Sequence, residues 1–135
     1  MDSGKGLYIE GCDFGAYNSS SDLYQRFGCA YLNDGWPSTI GNVSSLTGQS
    51  GTFVQGYNYD YLFQQDPDNF VDEITANGGT IIYASQDAVG RAIMYDGPGN
   101  NYRALHSTFI FGALQSGTNT KEELMQVYMN YLLGN

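Results

Sequence analysis

The residues of this sequence that are best suited to catalysis are a cysteine between glycines and the chain's single histidine. Cys12 lies in the segment Gly11–Gly15, directly after a predicted strand. A nucleophile at a strand-to-helix turn is exposed beside backbone amides, and His106 is the only histidine that could act as its base. The carboxylates that could orient this histidine are Asp13, Glu10 and Asp87. Together they define a cysteine hydrolase or amidotransferase hypothesis.

The favoured interpretation is that Cys12 has a structural role. Under this interpretation we expect no catalytic residues. One cysteine and one histidine are weak evidence for a catalytic dyad in a chain of 135 residues. Cys12 is then a half-buried thiol in a loop, and Cys29 is its candidate disulfide partner. His106 lies inside the predicted strand 102–111, as a solvent-facing or hydrogen-bonded residue.

A tyrosine-rich segment, Tyr57-Asn58-Tyr59-Asp60-Tyr61, indicates a second kind of site. Tyrosine rings stack on the apolar faces of sugars, and amide and carboxylate groups bind sugar hydroxyls. The segment therefore supports a glycan-binding hypothesis. The favoured alternative is that these rings pack an irregular loop against the sheet.

A calcium site is a further hypothesis, because carboxylates at alternate positions can bind this ion. The candidate ligands are Asp66, Asp68 and Asp72. The twelve-residue calcium loop and its central glycine are missing. Asp66 as a helix N-cap and Asp68 in the first turn explain both residues without a metal. The preferred interpretation contains no metal site. It also contains no cofactor, because the segment 97–99 is typical of a turn and not of a phosphate loop.

The elements that position these residues alternate between strands and helices. Residues 6–11 form an apolar run suited to a buried strand, and Ser20 or Ser21 caps a helix that Gly28 ends. Over residues 33–65 we expect loops and one or two short strands. Residues 66–79 predict a helix with Phe70, Val71 and Ile74 as its apolar stripe.

The second half of the chain continues the alternation. Residues 80–84 and 91–95 predict strands, and the latter forms a hairpin with a strand over 102–111. Residues 120–134 predict a helix with a capping box. The order predicts an α/β fold of three layers, in which helices cover both faces of a mixed sheet.

Composition narrows the class of protein. Lys plus Arg total 5 against 14 for Asp plus Glu, a net charge of -9. Nucleic acid and anionic membranes need clustered cations, so neither is an expected partner. No apolar run is long enough for a membrane helix. Charged residues make up only 14% of the chain, which favours an extracellular or cell-surface setting. The length predicts a single domain over residues 1–135.

Three parts of the chain together resemble a known family. Gly6–Gly15 (GLYIEGCDFG) resembles a strand that the family follows with Ser-Gly-Gln-Asp-Ile-Gly. Residues 24–32 and 43–51 resemble the next segment. Residues 102–112 and 123–132 resemble a strand ending in Phe-Gly and the helix after it. The sequence is therefore similar to the class I glutamine-amidotransferase-like, flavodoxin-like accessory domains of secreted bacterial peptidases and surface proteins.

That resemblance implies a flavodoxin-like or Rossmann-like fold, a secreted setting and no catalysis. Cys12 lies where the non-catalytic relatives carry a polar residue, and Ser107-Thr108 follows His106 where amidotransferases carry a His-x-Glu pair. The family's leading strand and helix units have no counterpart before Gly6, so we expect a partial sheet. Such a sheet exposes an edge for pairing with a protein partner or a second copy of the chain. The first hypothesis is a non-catalytic, oligomeric interaction module.

Overall fold

The computed structural model describes residues 4–34, 43–62 and 70–135, and its main element is a single sheet. Nine strands form a mixed sheet that curls into a half-barrel. The strands are β1 Lys5–Glu10, β2 Cys29–Asn33, β3 Ser45–Gly48, β4 Asn58–Tyr61, β5 Glu73–Ala76, β6 Thr80–Ser85, β7 Gly90–Asp96, β8 Tyr102–Ser107 and β9 Leu114–Gly117. The helices are α1 Phe14–Asn18, α2 Asp22–Gln25 and α3 Lys121–Leu133.

The sheet has one long path and one branch. The path runs β1-β8-β7-β6-β3-β4-β9, and β5 pairs with both β7 and β2 beside it. Within the described ranges, β1 and β8 are the one parallel pair, with Ile9 opposite His106. The other pairs are antiparallel. β1 therefore stands at one end of the path and β9 at the other.

Two apolar clusters cover the two faces of the sheet. Neighbouring side chains of a strand point to opposite faces, so β8 sends Leu105 to one cluster and Ala104 to the other. On the first face, helix α3 packs Leu124 and Tyr128 over the sheet. On the second face, the α2 region contributes buried Tyr24 and Phe27.

Local sequence signals predicted several elements correctly. The side chain of Ser21 caps α2 by accepting from the Tyr24 amide, and Gly28 follows it with a positive φ of 62°. The β7–β8 hairpin forms as expected. Thr120 and Glu123 make the capping box of α3. These features depend on residues close together in the chain, where propensity and hydrogen bonding act directly.

The predicted helix over 66–79 is wrong in its described part, because Glu73–Ala76 is strand β5. The start predicted at Asp66 lies outside the described residues. Val71, Asp72, Glu73 and Ile74 are all buried in succession. A helix lying on a sheet buries only one of its sides, whereas a strand covered on both faces buries consecutive residues.

The three-layer, flavodoxin-like α/β fold is also wrong. Of the described residues, 40% are in strands and 24% in helices, and their sheet is largely antiparallel with few helices over it. The prediction depended on a helix before β6 that would cross back over the sheet. Instead, a turn with Gly78 at a φ of 96° joins β5 to β6. Without that helix the parallel crossover does not form.

Candidate functional site

Cys12 lies in the loop after β1, on the face of the sheet that α3 covers. The Gly11 amide donates to the Ser107 carbonyl at 3.1 Å and so holds this loop to the end of β8. The Cys12 thiol is half-buried, and its Sγ lies 3.9 Å from Tyr61 Oη. The side chain packs against the cluster that contains Leu124 and Tyr128.

His106 lies on the opposite face and is fully buried. Its ring sits among Phe14, Tyr24 and Phe27, with centroid distances of 5.4, 5.8 and 5.4 Å. Within the described part of the chain, neither ring nitrogen has a hydrogen-bond partner. Burial lowers the His106 pKa to about 4, and the backbone of Ile9 opposes this only in part. The structure therefore does not bring His106 to Cys12 as a general base.

The two cysteines are on different faces as well. Cys29 is buried in the cluster of Tyr24 and Phe27, whereas Cys12 packs against the α3 face. Both are in the thiol form in the structure. Burial raises the pKa of the Cys29 thiol, and the Tyr24 hydroxyl opposes that rise. The disulfide between Cys12 and Cys29 stays a prediction.

The tyrosine-rich segment forms β4, and its side chains alternate between core and solvent. Tyr59 and Tyr61 are 2% and 0% exposed, and Asp60 is exposed. The Tyr59 hydroxyl donates to the Thr120 carbonyl, and Tyr61 Oη accepts from the Ile110 amide. Tyr57 packs against the core and Asn58 is half-buried, so Asp60 is the member of the segment that a glycan would meet. The alternation follows strand periodicity. The sequence alone allowed either a strand or an aromatic loop for this segment.

Asp72 is the described member of the acidic group considered for calcium, since Asp66 and Asp68 lie outside the described residues. It is fully buried just before β5. One carboxylate oxygen each from Asp13, Asp34 and Asp72 lie within 4.8 Å of one another. We call these three residues the carboxylate cluster. It joins the loop after β1, the end of β2 and the start of β5.

Backbone amides from α1 position the Asp72 side chain. Its Oδ2 accepts from the amides of Gly15 at 2.5 Å and Ala16 at 3.3 Å. The Asp72 amide donates to the Cys12 carbonyl at 2.9 Å. Burial raises the Asp72 pKa to about 7, the two amides oppose this, and repulsion from Asp13 and Asp34 adds to it. The loop after β1 is thereby fastened to the start of β5.

Gly15 is the point where these groups meet most closely. A Cβ on Gly15 would lie 2.8 Å from the Tyr31 ring, 2.9 Å from Asp72 Oδ2 and 2.9 Å from Tyr24 Oη. Real Cβ atoms do not approach other atoms so closely, so a side chain here must displace at least one of these three groups.

Gly15→Ala is therefore expected to lower the free energy of unfolding by about 2 kcal/mol, the usual cost of overpacking. Gly112→Ala is the matched control, because a Cβ there meets nothing within 4 Å. Urea unfolding of both variants measures the difference. Equal stabilities for the two variants would show that this contact is not tight.

Sequence reasoning missed Asp34 as a partner of Asp72. In the antiparallel pair of β2 and β5, Asn33 lies opposite Glu73, so Asp34 comes next to Asp72. The helix predicted over 66–79 concealed this register. The β-branched residues Val71, Ile74 and Thr75 favour a strand and are the signal that could have indicated β5.

Comparison with protein-family models, curated proteins and solved structures gives no match for this chain. The resemblance to amidotransferase-like accessory domains stays a prediction, and the fold it implied is corrected above. Among the described helices, none combines the length and the apolar character needed to cross a membrane.

Proposed function

We propose that this chain is a non-catalytic interaction module of a secreted or cell-surface protein, and that it self-associates through the edge of β1. The observation that carries the proposal is the position of β1 at the end of the sheet path. Along the described chain, β8 is its one strand partner. An edge strand presents backbone groups that a strand from another molecule can pair with.

The residues of β1 suit such pairing. Leu7, Tyr8 and Ile9 are half-buried in the middle of the strand, and the exposed charges of Lys5 and Glu10 stand at its ends. Edges that resist pairing carry charge, proline or a bulge within the strand. β1 has six residues in unbroken register with β8, whereas β9 at the other end has four and an irregular register with β4.

The other two hypotheses have less support from the geometry. Cys12 and His106 lie on opposite faces of the sheet, so His106 is not placed to act as a base for the thiol. Tyr59 and Tyr61 pack in the core, so two of the three rings proposed for glycan stacking are covered. The low share of charged residues supports the extracellular setting.

The test is sedimentation velocity across micromolar concentrations, with a synthetic peptide of residues 5–10 added in excess. We expect concentration-dependent dimers, and we expect this peptide to convert them to monomers by occupying the edge. A scrambled peptide of the same composition is the control. A monomer at every concentration would overturn the proposal, as would dimers that the peptide leaves intact.

A further inference from the structure

Three carboxylates from separate parts of the chain converge in the carboxylate cluster. Asp13 is exposed, Asp34 is half-buried and Asp72 is fully buried. One oxygen of each lies within 4.8 Å of the others. Calcium binds oxygen at about 2.3–2.6 Å, so two ligands of one ion lie up to about 5 Å apart. The spacing of the three oxygens thus fits a single shared ion.

An independent observation concerns the buried end of the cluster, where one carboxylate oxygen has no hydrogen-bond donor among the described residues. Asp72 Oδ1 is buried, and among the described residues it has no hydrogen-bond partner. The amides of Gly15 and Ala16 bind the other oxygen, Oδ2. A buried carboxylate oxygen without a donor is costly, and buried charges are normally paired or coordinate a metal.

We propose that Asp13, Asp34 and Asp72 bind a calcium ion. The cluster offers oxygen ligands alone, which hard cations prefer, whereas structural zinc prefers nitrogen and sulfur. Three carboxylates from separate segments of the chain suit the variable geometry of calcium better than the strict octahedron of magnesium. Water molecules complete the coordination on the side of exposed Asp13.

The ion would join three segments that are distant in sequence. Asp13 follows β1, Asp34 follows β2 and Asp72 precedes β5. A cation that binds the folded chain but not the unfolded one stabilises the fold by mass action. This proposal is independent of self-association through β1, because the cluster lies beyond the end of that strand.

Terbium luminescence provides a direct test, because tyrosine excites a bound terbium ion only at close range. Tyr31 and Tyr24 both lie within 3 Å of the position of a Gly15 Cβ, as does Asp72 Oδ2. We expect terbium emission on excitation of the tyrosines, and we expect calcium chloride to displace it. The expected calcium dissociation constant is about 10⁻⁴–10⁻³ M, the range of extracellular modules.

Asp34→Asn and Asp13→Asn are the diagnostic variants, because neither residue is fully buried. Each is expected to weaken calcium binding at least about tenfold, since each removes one charged ligand. Asp60→Asn is the matched control, because it removes one exposed aspartate outside the cluster and should leave the affinity unchanged. Circular dichroism verifies that the variants fold.

A thermal scan supplies a second readout. Millimolar calcium is expected to raise the melting temperature of the wild-type chain by several degrees, and to raise that of Asp34→Asn far less. The absence of both terbium emission and a calcium-dependent shift in the wild-type chain would overturn the proposal. Equal loss of binding in Asp60→Asn and Asp34→Asn would also overturn it, because the ion would then be only a general counterion.

Discussion

Replacing Arg91 with methionine is expected to lower the free energy of unfolding by about 3–5 kcal/mol, the usual result of breaking a buried polar network. Arg91 is 1% exposed within β7. Its Nη1 donates to the Val71 carbonyl at 2.6 Å, and its Nε donates to Ser85 Oγ at 2.9 Å. Asp87 lies 3.8 Å from Nη2. Methionine fills much of the same space but supplies none of these donors.

The consequence extends to the carboxylate cluster, because Val71 immediately precedes Asp72. Without the guanidinium, the Val71 carbonyl loses a buried donor, and the segment before β5 loses this contact with β7 while Ile74 stays paired with Gly90. Arg91→Lys is the matched comparison. Lysine keeps the charge but not the planar arrangement of donors, so we expect an intermediate loss. Urea unfolding measures both variants. A loss below about 1 kcal/mol for Arg91→Met would show that the network contributes little.

The second large effect concerns pH and His106. Burial lowers its pKa from 6.5 to about 4. As pH falls from 6.5 to 4, the unfolded chain takes up a proton at this residue and the folded chain does not. The folded state therefore loses stability across this range, by about 3 kcal/mol for a shift of this size.

His106→Phe is expected to remove that contribution. Phenylalanine suits the ring environment of Phe14, Tyr24 and Phe27, and it leaves no buried nitrogen without a partner. The difference in stability between variant and wild type is expected to grow by about 3 kcal/mol as pH falls from neutral to 4. Urea unfolding at several pH values gives both curves.

The His106→Phe variant must be compared with the wild type, because Asp72 titrates in the opposite sense. Its pKa is raised to about 7, so the folded chain binds the extra proton there and loses stability as pH rises through that value. Asp72 is common to both proteins, so its contribution cancels in the difference. Parallel curves for the two chains would contradict the buried, neutral state of His106.

The parts of the fold that sequence predicts best are those set by neighbouring residues. The Thr120–Glu123 capping box and the Ser21 cap are hydrogen bonds within a single helical turn, so their residue types identify them. The hairpin of β7 and β8 follows from two apolar runs and the turn between them. Predicting these elements requires no information about the rest of the chain.

The parts that sequence did not predict depend on pairing between distant segments. Ile74 is spaced for a helical stripe, yet it lies opposite Tyr31 and Gly90 in the sheet. Tertiary burial on both faces overrides a local helical pattern. The carboxylate cluster requires the register of β2 against β5, so no local motif could reveal it.

The burial of His106 also depends on pairing between distant segments. A lone histidine in a strand can face either side, and one face of β8 carries Leu105 while the other carries Ala104. The choice of face decides whether the imidazole lies on the side of Cys12 or among the rings of Phe14, Tyr24 and Phe27. Only the order of strands and the placement of helices settle that choice.

The most direct test of self-association is hydrogen exchange of the β1 amides at low and high protein concentration. We predict that the outward-facing amides of residues 5–10 exchange at least about tenfold more slowly where dimers form, because a second strand then binds them. The amides of β9 serve as the internal reference and should not change. Unchanged exchange in β1 while the protein associates would contradict the account, since another surface would then form the dimer.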